Sequence, residues 1–248
     1  MNDKTPNANI AMIAFVLMLI GLGCGSLNRP EATGDQTAAP ENRPAQTQTA
    51  SDEIGGDYTV YGSNPNGTSY TGNLTVTNRG EVYQFTWASG GREYDGVGVR
   101  ADRTVAVAFT EGADGQGCGV VLYKIAADGS LDGKAGYWGV NESEIEKAVR
   151  TSGTDLAGVY DVSGTDSSGK EYKGTLAVNK RGAGYNFQWD VGGGLNGFGI
   201  RTGDMAAVGF GGSKCGFVSY DIKPDGSLEG KWGGQGSTVV GTETARKR

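Results

Sequence analysis

Residues 80–87 read GEVYQFTW, and residues 182–189 read GAGYNFQW. In both stretches Tyr, Phe and Trp fall at every second position (Tyr83, Phe85, Trp87; Tyr185, Phe187, Trp189), with mainly small or polar residues between them. Period two is the mark of a β-strand with one buried face. The same alternation places Tyr70, Gly72, Leu74 and Val76 on one face and Thr71, Asn73, Thr75 and Thr77 on the other. Between such runs stand turn dipeptides: Asn66-Gly67 and Ser168-Gly169, Arg79-Gly80 and Arg181-Gly182, Asp128-Gly129 and Asp225-Gly226. Hairpin following hairpin predicts an antiparallel meander.

The pattern is written twice. Tyr58 matches Tyr160, Tyr70 matches Tyr172 and Trp87 matches Trp189, a constant offset of 102 positions that marks an internal duplication. In the second copy the strand runs fall at 159–164, 172–179, 184–189, 195–201, 206–210, 216–222, 227–232 and 238–245. Eight short strands suit a small up-and-down barrel, whose interior is filled by side chains or holds one small ligand. The predicted fold class is therefore all-β, with two tandem antiparallel barrels of about eight strands each. Module one is expected over residues 55–141 and module two over 157–248. Residues 142–156 are expected to link them, the stretch ESEIEKAVR at 142–150 having helix-forming composition.

Ahead of the modules the pattern changes. Residues 10–22 (IAMIAFVLMLIGL) form an apolar run too short for the roughly 20 residues of a membrane span. They read as the core of a signal peptide over residues 1–23. The following Gly21-Leu22-Gly23-Cys24 resembles a bacterial lipobox, in which the cysteine is acylated and becomes the new N-terminus; Gly21 stands where Leu is usual. The resemblance implies lipidation of Cys24, with palmitate among the acyl chains, and places the chain in the cell envelope, on the outer membrane or cell surface. Residues 24–54 are rich in Pro, Ala, Thr and Gln and are expected to be a disordered tether reaching about 30 Å.

Composition narrows the function. The net charge of −6 argues against nucleic acid as a partner. The 45 glycines carry no collagen period and fit many tight turns instead. Histidine is absent, which removes Ser-His and Cys-His catalysis and the commonest transition-metal ligand. The acid pairs Asp128/Asp132 and Asp225/Glu229 would suit a glycosidase only if they faced each other across a sugar; a hairpin turn with a solvated acid after it accounts for them. The expectation is a protein that is not an enzyme and uses neither cofactor nor metal.

The residues left as candidate ligand contacts are the aromatics Trp87, Trp189, Tyr83 and Tyr185, with Arg100 and Arg201, which follow Gly96-Val97-Gly98 and Gly197-Phe198-Gly199 at equal spacing. Core packing and a structural ion pair are the competing roles for these two sets. Cys118 and Cys215 occupy matching places in the two copies. Equivalent points of two modules meet within the roughly 7 Å of a disulfide only if a two-fold axis passes nearby, so two free thiols are expected.

The patterns Tyr58-Thr59-Val60, Tyr70-Thr71-Gly72, Tyr83 to Trp87, Gly96-Val97-Gly98, Asp128 to Gly133 and the closing Gly241-Thr242-Glu243 resemble a family of bacterial secreted proteins with tandem G-x-Y-x-V-x-G, Y-x-F-x-W and D-G-S-L-x-G repeats. Some members are described as fibronectin-binding. The resemblance implies a binding or structural unit, with an extracellular-matrix protein as partner; it brings no binding residues with it. Copy one lacks a clean G-T-E, which leaves the closure of its barrel open. A small-molecule carrier with a cavity in each barrel is the alternative reading, and a carboxylate-based hydrolase a further one.

Overall fold

The computed structural model describes residues 53–115 and 117–248. The expected signal peptide, Cys24 and nearly all of the expected tether lie outside the described residues. The described part contains sixteen strands and no helix: β1 (Gly56–Ser63), β2 (Ser69–Asn78), β3 (Tyr83–Ser89), β4 (Arg92–Ala101), β5 (Thr104–Glu111), β6 (Cys118–Ile125), β7 (Leu131–Tyr137), β8 (Glu144–Thr154), β9 (Ala157–Thr165), β10 (Glu171–Arg181), β11 (Gly184–Asp190), β12 (Leu195–Thr202), β13 (Met205–Gly211), β14 (Gly216–Ile222), β15 (Leu228–Gly234) and β16 (Gly241–Lys247). They close into two eight-stranded antiparallel barrels.

The barrels do not coincide with the sequence repeats. One is continuous, running from β6 to β13 in chain order and closing where β13 pairs with β6. The other is split, built from β1–β5 and β14–β16 and closed by the β5–β14 and β1–β16 pairings. Each copy therefore gives its last three strands to the other copy's barrel, and the expected modules at 55–141 and 157–248 are corrected to these interleaved units. The chain crosses between barrels twice, after β5 and after β13. At the crossings Gly211 (φ +116°) passes so close to the other segment that a Cβ there would lie 2.0 Å from the Gly117 carbonyl oxygen. Only glycine allows that approach.

Cys118 and Cys215 sit at these two crossings and form a disulfide, with Cα atoms 5.7 Å apart. The expectation of free thiols is overturned. Exchange of equivalent strands creates the two-fold relationship that tandem barrels would lack, and the two matching cysteines straddle it.

Two further expectations are corrected. Residues 144–154, read as a linker with helical composition, are strand β8, which pairs with β7 and β9. Its pattern is inverted: Glu144, Glu146 and Ala148 face the interior, while Ile145 and Val149 are 69% and 50% exposed. Charged residues on the inner face hid the alternation. At the other end of the chain, Ile54 is no part of a tether. It is buried beneath the split barrel, where its carbonyl accepts a 2.6 Å hydrogen bond from the Tyr58 hydroxyl. Leu156 and Tyr160 repeat that plug in the continuous barrel at 2.8 Å.

Each barrel has its own core. Stacked rings fill its middle, Phe85 between Trp87 and Tyr220 (centroids 5.6 and 6.1 Å) and Phe187 between Trp189 and Tyr123 (5.7 and 6.2 Å). A further apolar layer joins the barrels: Val97, Val99, Ala106, Ala108, Val120, Leu122 and Ala207 turn outward from β4, β5, β6 and β13 and pack together. Strands buried on both faces read as unbroken apolar runs, as VAVAF at 105–109 does.

Candidate functional site

Opposite its plugged end, each barrel opens into a cavity, and a buried glutamate stands at the floor. In the split barrel Glu243 is 6% exposed. Its Oε2 accepts from the Tyr70 hydroxyl at 2.8 Å, and its Oε1 accepts from Trp87 Nε1 at 3.0 Å and from the Tyr220 hydroxyl. In the continuous barrel Glu146, also 6% exposed, accepts from Tyr172 (3.1 Å), Trp189 Nε1 (3.1 Å) and Tyr123. Local geometry places these groups. Alternation on β3 and β11 turns Trp87 and Trp189 inward, and each mouth tyrosine lies over a glycine, Gly62 under Tyr70 and Gly164 under Tyr172, where a Cβ would meet the ring at 2.1 and 2.3 Å.

Strand exchange assembles both tetrads. Tyr70 and Trp87 come from the first copy and Tyr220 and Glu243 from the second; Tyr123 and Glu146 come from the first and Tyr172 and Trp189 from the second. Burial pushes the Glu243 carboxyl above the usual carboxylate range, with the three donors acting in the opposite direction. Burial first, and the neighbouring glutamate second, push the phenols of Tyr70, Tyr123, Tyr172 and Tyr220 far above the usual tyrosine value. These hydroxyls stay neutral donors through the physiological range.

The split-barrel cavity has a volume of about 390 Å³, and its walls include Tyr70, Trp87, Tyr94, Phe109 and Trp232, with Arg92 at the rim. Arg92 is engaged there by Glu111 at 2.8 Å. The continuous-barrel cavity has a volume of about 370 Å³, walled by Tyr137, Tyr172, Trp189 and Phe210. Both fall within the size range of small-molecule sites and combine apolar walls with convergent polar groups, the pattern of such sites.

Of the residues singled out from sequence, Trp87 and Trp189 are at the cavity floors. The other four are elsewhere. Tyr185 faces the plugged end, where its hydroxyl lies 3.3 Å from Asp155 Oδ2 and Lys180 Nζ sits 4.5 Å from its ring centre. Arg201 pairs with that same Asp155 and donates to the Gly203 carbonyl at 2.7 Å. Tyr83 and Arg100 lie side by side on the other barrel, Arg100 Nε donating to the Asp102 carbonyl at 3.0 Å. For the two tyrosines this follows from the spacing along one strand: positions 83 and 185 share the face of 87 and 189 but stand four residues, roughly 13 Å, further from the mouth, and Arg100 and Arg201 lie beside them on the next strand.

The acid pairs are turns. Asp128 and Asp225 each accept from a serine two residues on (Ser130, Ser227), while Asp132 and Glu229 meet Lys147 and Lys223. Sequence reasoning read Tyr70 and Tyr172 only as repeated strand positions, and as site residues it missed Glu146, Glu243, Tyr123 and Tyr220. Their signal was a second offset of 97, shared by Cys118/Cys215, Tyr123/Tyr220 and Glu146/Glu243, which makes E-I-E at 144–146 the first-copy form of the closing G-T-E. No protein-family model, curated protein or solved structure matches the chain.

Proposed function

We propose that the chain is a non-catalytic binding protein of the bacterial envelope, held by a lipid on Cys24, in which each barrel mouth takes one small ligand. The observation that carries this reading is the pair of cavities floored by a fixed Tyr-Tyr-Trp-Glu tetrad. A filled interior would have favoured a protein partner; cavities of about 390 and 370 Å³ favour the carrier. The hydrolase reading loses support in the split barrel, where Glu243 is the sole acid among the residues lining the mouth, and two facing carboxylates are needed. The tetrad suits binding: neutral donors and a buried acceptor hold one another rigid, so little ordering is left to be done when a ligand enters.

Native mass spectrometry of the purified chain after incubation with envelope extract tests this. Small-molecule adducts are expected, up to two per chain. They should be lost one at a time in Arg92→Trp and Leu195→Trp, which fill the rims without touching the tetrads. Adducts that survive both substitutions together, or no adduct at all, would sink the reading. The protein-partner alternative would instead use the outward row of Ile145, Val149 and Val159 on β8 and β9.

A further inference from the structure

The two mouths share a floor but not a rim. Offsets of 97, 102 and, after the loop that follows β3 and β11, 101 pair their positions one to one; Trp87 lies opposite Tyr94 as Trp189 lies opposite Leu195, and the hairpins at 64–68 and 166–170 match likewise, with Asn64 N to Thr68 O at 2.8 Å and Asp166 N to Lys170 O at 2.9 Å. Where the continuous barrel has Glu144, the split barrel has Gly241; where it has Asp166, the other has Asn64. Trp232 of the split barrel is answered by Ala135, and Tyr94 by Leu195. The continuous-barrel mouth thus presents three carboxylates, Glu144, Glu146 and Asp166, against the single ammonium of Lys170.

Two of those carboxylates are fixed and buried. Glu144 is 8% exposed and accepts from Ser167 N at 3.2 Å; Glu146 is held by the tetrad. Among the described residues no lysine or arginine forms an ion pair with either. Lys170, by contrast, is on an exposed turn and free to extend into water. Around them stand ring faces, with Phe210 packed against Tyr137 at 5.2 Å and Trp189 at 5.7 Å. Aromatic rings attract cations through their negative faces, and unpaired buried carboxylates do so through charge. No three acidic or cysteine side chains among the described residues are placed to hold a metal ion, so the combination favours an organic cation over an inorganic one.

We propose that the continuous-barrel mouth is selective for a compact alkylammonium ion, while the split-barrel mouth takes uncharged ligands of similar size. The inference rests on the mouths being ligand cavities, and it adds a charge class to one of them. The anchor is the two inward-facing carboxylates of β8, Glu144 and Glu146, neither with a basic partner, and Trp189, Tyr172 and Phe210 form the cage.

Isothermal titration of the purified chain with choline and with its uncharged isostere 3,3-dimethyl-1-butanol tests it. One choline per chain is expected, bound at least about ten-fold tighter than the isostere, as a desolvated cation–aromatic contact with a nearby carboxylate implies. Glu144→Gln should weaken choline about five-fold or more and leave the isostere unchanged, and Leu195→Trp should abolish the site. Equal binding of choline and isostere would overturn the charge selectivity and leave the cavities standing. Selective choline binding untouched by Glu144→Gln and Leu195→Trp would place the cation elsewhere and overturn the assignment. Failure of both probes overturns it too; adducts in the mass-spectrometric experiment would then confine the failure to the ligand class, and their absence would extend it to the cavities themselves.

Discussion

Replacing Glu243 by leucine and by glutamine separates its role as an acceptor from its role as a charge. Leucine removes the acceptor of three donors. Tyr220 and Trp87 are 1% and 4% exposed, so their O–H and N–H would have no water to turn to, whereas the half-buried Tyr70 hydroxyl faces the cavity. Two stranded buried donors at about 1–3 kcal/mol each, less what is recovered by no longer burying a carboxyl, give a net loss of about 2–4 kcal/mol. Glutamine keeps an oxygen for Trp87 and Tyr220 and turns its amide toward the Tyr70 hydroxyl, which can accept; the change near pH 5 should stay within about 1 kcal/mol. The charge then shows in the pH dependence. Because the folded-state value of Glu243 is raised above 4.5, the native state holds this proton more tightly than the unfolded chain does. Its contribution is fully present below that unfolded value and is lost as pH rises through the folded value, with a slope of at most about 1.4 kcal/mol per pH unit. Wild type should therefore lose stability relative to Glu243→Gln from pH 4.5 upward. Urea unfolding followed by far-ultraviolet circular dichroism at pH 4.5, 6 and 8 measures both effects. A leucine variant as stable as the glutamine one, or a wild-type-to-glutamine gap that is flat with pH, would refute the reasoning.

Trp189→Ala should cost about 3–5 kcal/mol in the same assay, since a 6%-exposed ring stacked on Phe187 and tied to Glu146 is removed; a loss under about 0.5 kcal/mol would mean the ring is not in the core. Thiol labelling of the unfolded, non-reduced chain should find neither Cys118 nor Cys215 reactive. Replacing both by alanine should lower stability by about 2–4 kcal/mol, for a bridge spanning 97 positions, and leave the far-ultraviolet spectrum unchanged. Cys24→Ser should move the protein from the membrane to the soluble envelope fraction, and a variant that still sediments with membranes would count against the lipid anchor.

The strands were legible because each needs only local information. Alternation and turn dipeptides mark every second-copy run from 159–164 to 238–245 within a few residues of β9 to β16. Strand β8 escaped because its inward positions are glutamates, which pattern reading assigns to solvent; what makes them tolerable inside is a set of tyrosine and tryptophan donors brought from distant strands. The duplication itself was plain. Its consequence was not, since a repeat whose last three strands pair with its own first five makes the same ladders as one that exchanges them with its twin. Tertiary structure decided between the two through features without a local signature: a glycine thin enough to let the crossings touch, and apolar outer faces on β4, β5, β6 and β13 that exclude water only when the barrels press together. The disulfide, both tetrads and the unequal rims follow from that exchange. Apart from β8, whose existence and facing the sequence hid, the sequence by itself determined the strands and which way they face; which strands share a barrel, and therefore which side chains share a cavity, was settled by the packing between the two halves of the chain.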